Sequence, residues 1–246
     1  MTQEPQSPIF LSAEWRWLLM ANYEVAPGIL RPYLPQGTEL DLWNGRCYIS
    51  LVAFMFENTK VLGVKIPFHV NFEEVNLRFY VRRKGPEGWR RGVVFIKELV
   101  PKWAIATVAR LVYNENYASV PMQHQITPPA PAHNDSPHVC YKWQHQKQSY
   151  RAEVQTVGQA RPLIEDGEEA FITEHYWGYA KQRDGSTVEY QVMHPPWRVW
   201  QVNDYHIQGD FGFLYGNEFR QSMNVEPASI FLAEGSAITV HKGIKI

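Results

Sequence analysis

Residues 74–81 read Glu74-Val75-Asn76-Leu77-Arg78-Phe79-Tyr80-Val81, and this alternation is the pattern of a β-strand. Successive side chains of a strand point to opposite sides of its sheet. One face of this strand therefore carries only apolar side chains, whereas the other carries an acid, an amide, a base and a phenol. Such a polar face is either solvated on the outside of a sheet or lines a cavity, and the pattern leaves both interpretations open.

The rest of the chain is typical of a sheet-rich protein. It contains 9 Trp, 13 Tyr and 12 Phe, and aromatic residues suit the pleated surface of strands. Asn44-Gly45 and Asp184-Gly185 predict hairpin turns. Pro101 predicts the start of a helix that runs to about Asn114, and a second helix is expected at 166–175. Numerous strands joined mainly by hairpins indicate a sandwich or a barrel and disfavour a doubly wound parallel sheet.

Composition excludes several classes of partner and compartment. The 246 residues include 25 acids and 24 Lys and Arg, a formal net charge of −1. Nucleic acids and anionic membranes require a concentrated basic surface, so neither is expected as a partner. Cys47 and Cys140 lack the spacing of zinc ligands and do not suggest a disulfide scaffold. The polar N-terminus lacks the apolar core of a secretory signal, and we expect a soluble, cytoplasmic protein.

Common catalytic motifs are missing from the chain. It has no phosphate-binding glycine motif, no nucleophile elbow and no His-Glu-x-x-His metal motif, and its nine histidines show no ligand spacing. We therefore expect neither a cofactor nor a metal. His175 lies in a segment rich in rings, at residues 174–179. That segment is either a strand start with aromatic packing or a pocket wall in which His175 acts as an acid, a base or a hydrogen-bond donor.

Four segments together resemble the YqjF-like family, a domain of unknown function in the acetoacetate decarboxylase-like superfamily. They are Leu34 to Asp41, Gly45 to Val52, Glu74 to Val81, and Gly92 to Phe95. The resemblance implies one domain over residues 1–246, with 1–9 as a flexible N-terminus. It also implies a mainly β fold, a cone-shaped and mostly antiparallel β-barrel with helices packed outside and a pocket inside. The polar face of residues 74–81 would then line that pocket.

The resemblance also implies a departure in mechanism. Acetoacetate decarboxylases form a Schiff base through a lysine, whose position falls on or near Tyr117 in this sequence. No lysine occurs between Ala104 and Gln123, and Schiff-base chemistry needs a primary amine. The active-site glutamate of the decarboxylases does match, at Glu74. The chain is therefore not expected to be a true acetoacetate decarboxylase, and whether it is an enzyme stays open.

Three functions fit these residues. In the first, a small-molecule-binding barrel is a lyase or hydrolase of small oxo-acids, with Glu74 as acid or base and Tyr117 as hydrogen-bond donor. In the second, the same pocket binds or senses a ligand without catalysis. In the third, Glu74 and Arg78 only serve an internal polar network. The expected partner is a small molecule, a carboxylate before other classes, and whether the chain forms a homo-oligomer stays open. The candidate ligand-binding residues are Asn76, Arg78, Trp103, Arg110 and His175.

Overall fold

The computed structural model describes residues 7–102, 114–129 and 136–246. Most of the helix predicted after Pro101, including Trp103 and Arg110, lies outside these ranges. The strands are β1 (Ile9–Val25), β2 (Glu39–Leu40), β3 (Cys47–Val61), β4 (Phe72–Gly85), β5 (Gly88–Val100), β6 (Tyr117–Ser119), β7 (Met122–Thr127), β8 (His138–His145), β9 (Gln148–Pro162), β10 (Trp177–Lys181), β11 (Thr187–Met193), β12 (Arg198–Gln208), β13 (Ser229–His241) and β14 (Ile244–Lys245). The helices are α1 (Pro27–Leu30), α2 (Glu168–Thr173), α3 (Phe211–Tyr215) and α4 (Asn217–Met223), with a 3-10 turn at Arg31–Tyr33. The predicted mainly β fold is confirmed.

The sheet returns on itself. Its strands follow the order β11-β10-β5-β4-β3-β1-β13, and β13 pairs again with β11 through Val192 with Val240 and Met193 with Thr239. The neighbours in this ring are antiparallel, apart from the parallel pair of β5 and β10. A ring of strands has an inner and an outer face, and the alternation of each strand divides its side chains between them.

The two faces of β4 lie in different environments. Its apolar side chains, among them Leu77 and Phe79, join the main core, which also contains side chains of β8, β9 and helices α3 and α4. Burial of a Leu or Phe side chain contributes about 1.5–3 kcal/mol to stability. The other face, with Glu74 and Arg78, lines a cavity. Helix α2 packs Phe171 and Ile172 into the second core, together with Tyr80 of that inner face.

A bulge in β5 changes which of its side chains face inward. Phe95 pairs with Arg78, but the next pair along is Lys97 with Leu77, so Ile96 is an extra residue. An extra residue reverses the alternation of a strand beyond it. Glu98 consequently pairs with Asn76 on the cavity side. Lys97 lies on the outer side, where its Nζ donates a hydrogen bond to the carbonyl of Leu214.

A buried ion-pair network joins β4, β5 and β11. The carboxylate of Glu189, which is fully buried, pairs with Arg90 and lies 3.1 Å from Nη1 of Arg83. Arg90 also pairs with Glu87, and its guanidinium carbon lies 4.2 Å from the centre of the Trp177 ring. These groups satisfy one another inside the protein.

Within the described ranges, no helix is both long and apolar enough to cross a membrane.

Candidate functional site

The cavity inside the ring has a volume of about 210 Å³. Aromatic and aliphatic side chains form most of its wall, among them Trp15, Phe56, Phe95, Trp177 and Trp197. A smaller set of polar side chains also lines it, which is the usual composition of a small-molecule site. That set includes Glu74, Arg78, Glu98, Glu115, Tyr117, His175 and Tyr190.

Glu74 is held by two hydrogen bonds. Asn76 donates from Nδ2 to Oε1 over 2.9 Å, and the hydroxyl of Tyr117 donates to Oε2 over 3.2 Å. Tyr117 reaches this position because β6 runs parallel to β5 with Tyr117 beside Glu98. Burial raises the pKa of Glu74 to about 7, against the two hydrogen bonds, which lower it. A carboxyl group with this pKa takes up and releases a proton near neutral pH.

Two further carboxyl groups, those of Glu98 and Glu115, extend this acidic end of the cavity. They hydrogen-bond to each other, and Tyr117 also bonds to Glu98. The hydroxyl of Tyr190 donates to Oε1 of Glu115 over 2.5 Å. Desolvation raises the pKa of both carboxyls, and the neighbouring acids raise that of Glu98 further. Two bonded carboxyl groups must share a proton, so this end of the cavity holds hydrogen-bond donors as well as acceptors.

Sequence reasoning missed both of these acids. A regular alternation along β5 would place Glu98 on the outer face, and only the bulge at Ile96 turns it inward. Glu115 precedes the short strand β6 and has no periodic pattern around it. Glu74 and Tyr117, which the sequence predicts to share one pocket, bond to each other. Within the described residues, no Lys, Arg or His forms an ion pair with Glu74, Glu98 or Glu115.

Tyr190 owes its position to Gly178 on the neighbouring strand. A Cβ atom added at Gly178 would lie 2.1 Å from Cζ of the Tyr190 ring, far inside van der Waals contact. Gly178 pairs with Tyr190 across β10 and β11, and the ring covers the backbone at that point. The hydrogen bond from Tyr190 to Glu115 therefore depends on a residue without a side chain.

Arg78 brings a positive charge to the cavity wall. Its side chain is largely buried, with 7% of its surface exposed. One nitrogen, Nη2, donates to the carbonyl of Ile172 over 3.2 Å, and the guanidinium carbon lies 5.7 Å from the centre of the Tyr80 ring. Its Nε has no hydrogen-bond partner among the described residues, and no described carboxylate forms an ion pair with Arg78. A buried charge without a partner is costly.

His175 is oriented by an aspartate behind it. Its Nε2 lies 3.2 Å from Oδ2 of Asp41, and the same oxygen accepts a 2.7 Å hydrogen bond from Nε of Arg91. Burial lowers the pKa of His175 to about 4, although Asp41 opposes this shift, so the imidazole is neutral at neutral pH. Its other nitrogen, Nδ1, is buried without a hydrogen-bond partner in the part of the chain that is described.

The structure brings four of the seven proposed site residues to the wall of one cavity and a fifth into contact with one of them. Glu74, Arg78, Tyr117 and His175 line it, and Asn76 bonds to Glu74; the roles of these residues stay predictions. The other two, Trp103 and Arg110, lie outside the described residues. No lysine lies among the described residues that line the cavity. No group of three or more His, Cys, Asp or Glu side chains in the described ranges is arranged to hold a metal ion.

Comparisons with known proteins agree with this picture. The model of the family DUF2071, described as "Uncharacterized conserved protein", matches residues 12–237. The uncharacterized protein YqjF of Bacillus subtilis is 27% identical over 186 residues, which cover 74% of this chain and 72% of YqjF.

Several solved structures share the fold at low sequence identity. An acetoacetate decarboxylase-like enzyme from Sphingomonas wittichii has a TM-score of 0.66 at 12% identity, over 97% of this chain and 93% of its own. The acetoacetate decarboxylase of Legionella pneumophila has a TM-score of 0.65 at 12% identity, over 100% and 90%. The enduracididine biosynthesis enzyme MppR, solved with pyruvate, has a TM-score of 0.64 at 13% identity, over 99% and 92%. The chain therefore belongs to the DUF2071 family, a YqjF-like family of uncharacterized conserved proteins, and has the acetoacetate decarboxylase-like fold.

Proposed function

We propose that this protein binds a small oxo-acid in its inner cavity and acts on it by acid–base chemistry at Glu74, as a lyase or hydrolase that forms no Schiff base. The observation that carries the proposal is the buried charge of Arg78, which has no carboxylate partner among the described residues. An arginine binds a carboxylate through a charge-assisted and often bidentate pair. A carboxylate ligand would satisfy this group, and one structure of the same fold, that of MppR, was solved with pyruvate.

The opposite end of the cavity suits an oxo group. The protonated members of the acid cluster are hydrogen-bond donors, and Tyr117 joins them when its one hydroxyl hydrogen turns from Glu74 to the ligand; donors of this kind stabilise a developing oxyanion. Glu74 and Arg78 are four residues apart on β4, so their backbone positions are separated by roughly 13 Å along the strand. Burial raises the pKa of Glu74, and the charge of Arg78 still acts to lower it. A ligand that contacts both side chains therefore carries its oxo group and its carboxylate on different carbons, with an apolar body along the aromatic wall.

The position of Lys97 supports a mechanism without a Schiff base. Its amine lies on the outer side of β5 and donates to the carbonyl of Leu214. Residues 103–113, which the structure does not describe, contain no lysine in the sequence. A proton transfer at Glu74 needs no such amine, and its pKa of about 7 suits an acid or base that works at neutral pH.

A second candidate function is binding or sensing without turnover. Each oxygen of Glu74 already accepts a hydrogen bond, one from Asn76 and one from Tyr117. A carboxyl group held in this way is suited to orient a ligand as well as to exchange protons. This observation favours a role for Glu74 in recognition, with the same ligand class and the same cavity.

The first experiment measures thermal shifts of the full chain against oxo-acids of increasing length and against their amides. A ligand at about 100 times its dissociation constant adds about 2.7 kcal/mol, or roughly 5–10 °C for a chain of this length. We expect acids, and not amides, to stabilise the protein, and R78Q to lose the effect. R82Q is the matched control, because Arg82 lies on the same strand but pairs with Glu39 on the surface. Equal stabilisation by the amides would overturn the proposal.

Replacement of Glu74 separates the two candidates. In E74Q, lost turnover with retained binding supports catalysis, and lost binding with no turnover in the wild type supports the binding protein. Unchanged binding with altered stability assigns Glu74 to the internal polar network alone. E73Q serves as the control, because Glu73 is the next residue on the strand and bonds to His124 at the surface.

A further inference from the structure

The pair of Asp41 and His175 sets a hydrogen-bond acceptor in the cavity wall beside Arg78. We infer that Asp41 is a positioning residue that fixes the tautomer of His175, and that the cavity consequently selects carboxylates with a hydroxyl group on the carbon next to the carboxylate. This inference rests on the proposed function, because it takes the ligand to be a carboxylate at Arg78. It goes further by naming the substituent at that end of the ligand.

The tautomer follows from the bonds of Asp41. Oxygen Oδ2 accepts a hydrogen bond from Arg91 over 2.7 Å and lies 3.2 Å from Nε2 of His175. Burial raises the pKa of Asp41, but the bonds from His175 and Arg91 outweigh it and hold that pKa below its ordinary value. The carboxylate has no proton to give, so Nε2 must carry the hydrogen. A neutral imidazole has one N–H group, which leaves Nδ1 with a lone pair.

This lone pair belongs to the cavity side of the ring. His175 lines the cavity, whereas Asp41 does not, so the bond to Nε2 lies behind the wall. Two rings pack against the imidazole, a tilted one from Tyr80 at 4.7 Å between ring centres and an edge-on contact with Phe171 at 5.2 Å. Nδ1 is buried and has no partner among the described residues. An acceptor in this situation costs free energy until a donor meets it.

Arg78 and His175 flank the same ring. The guanidinium carbon of Arg78 lies 5.7 Å from the centre of Tyr80, and the imidazole lies on that ring as well. Both residues line the cavity, and besides burial the charge of Arg78 lowers the pKa of His175, so the unsatisfied N–H of Arg78 and the unsatisfied lone pair of His175 belong to neighbouring parts of its wall. A carboxylate satisfies Arg78 but has no hydrogen for His175.

A hydroxyl group next to the carboxylate supplies that hydrogen. An oxo group at the same carbon would set its lone pairs against that of Nδ1. A site with a buried hydrogen-bonding group discriminates strongly against a ligand that leaves the group unpaired. An ammonium group also donates, but it would lie beside the positive charge of Arg78. The 2-hydroxy acid is thus the class that fits both groups.

Calorimetric titrations of the full chain with mandelate, benzoylformate and phenylacetate test this inference. These acids share one carbon skeleton and carry a hydroxyl group, an oxo group or no substituent next to the carboxylate. We expect mandelate to bind about tenfold or more tightly than the other two. D41A should remove this preference and leave the affinity for phenylacetate unchanged, because the imidazole is then free to adopt either tautomer. D41N should retain the preference, since Arg91 holds the amide oxygen where Oδ2 was.

A nitrogen-15 NMR spectrum of the unliganded protein provides a second, independent test. With labelled histidine, we expect His175 to carry its hydrogen on Nε2. A hydrogen on Nδ1 would overturn the inference, whatever the affinities for the three acids are. Equal affinities for the three acids would overturn the inference and leave the proposed function standing. Failure of these three acids and of every oxo-acid to bind would overturn both.

Discussion

Glu98 lies directly across from Asn76 in the β4–β5 pair, on the cavity side of the sheet. Asn76 bonds to Glu74, and Tyr117, beside Glu98 on β6, bonds to Glu74 as well. The pairing therefore sets two carboxyl groups around one phenol inside a cavity with apolar walls. Buried acids so close together cannot all ionise at neutral pH, and the proton they hold is available for chemistry.

The raised pKa of Glu74 predicts a pH dependence of stability. A carboxyl group titrates near 4.5 when unfolded, and burial raises this pKa to about 7 in the folded protein. The contribution of Glu74 to the free energy of unfolding is fully present below pH 4.5 and falls by up to about 3 kcal/mol as the pH rises through 7. We expect the melting temperature of E74Q, relative to that of the wild type, to increase over this range.

The difference between variant and wild type is the quantity to measure. His175, whose pKa burial lowers to about 4, has the opposite dependence, because its contribution is lost as the pH falls from 6.5 towards 4. The pH dependences from Glu74 and His175 partly cancel in the melting temperature of the wild type. The difference between E74Q and the wild type contains only the pH dependence from Glu74. A constant difference between E74Q and the wild type from pH 4.5 to 8 would show that the pKa of Glu74 is not raised.

Replacement of Arg78 should separate stability from binding. R78M removes a buried charge that has no described carboxylate partner and keeps an apolar stem of similar length. We expect the free energy of unfolding in the absence of ligand to rise by about 1 kcal/mol, which is roughly 2–4 °C, while stabilisation by acids disappears. Thermal melts with and without ligand measure both effects. A loss of stability in R78M would mean that the charge of Arg78 is compensated within the protein.

The Glu189 network should contribute to stability and not to ligand binding. E189Q leaves the buried guanidinium of Arg90 without its charge partner, and breaking a buried pair costs about 3 kcal/mol. Urea unfolding measures this loss, and the affinity for acids should be unchanged. E39Q removes an exposed pair with Arg82 and should cost less than about 1 kcal/mol. Equal effects of the two variants would contradict this account.

A methyl group at Gly178 should displace Tyr190. Its Cβ would lie 2.1 Å from the ring, so G178A must move the phenol that bonds to Glu115. We expect a loss of about 1–3 kcal/mol together with altered ligand affinity. G28A is the control, because a Cβ at Gly28 has no neighbour within 4 Å. Unfolding and binding of G178A that match those of G28A would show that Tyr190 has no part in the site.

Regular alternation made part of the site predictable, and the interruption of that alternation concealed the rest. The strand at residues 74–81 has the two faces that its pattern indicates, and its polar face lines the cavity. The helix expected at 166–175 is shorter, Glu168–Thr173. Glu98 escaped notice because a bulge needs no particular residue type and leaves no pattern. Asp41 escaped notice because its partner His175 is more than a hundred residues away along the chain.

The extra residue at Ile96 also determines which reactive group the cavity contains. If β5 continued in its register from Phe95 without the bulge, the amine of Lys97 would point inward and the carboxyl of Glu98 would point outward. An amine desolvated in such a place becomes a nucleophile towards carbonyl compounds. A shift of β5 by one residue would therefore exchange a proton-transferring carboxyl group for a nucleophilic amine inside the cavity. Such a change requires no replacement of Lys97 or Glu98.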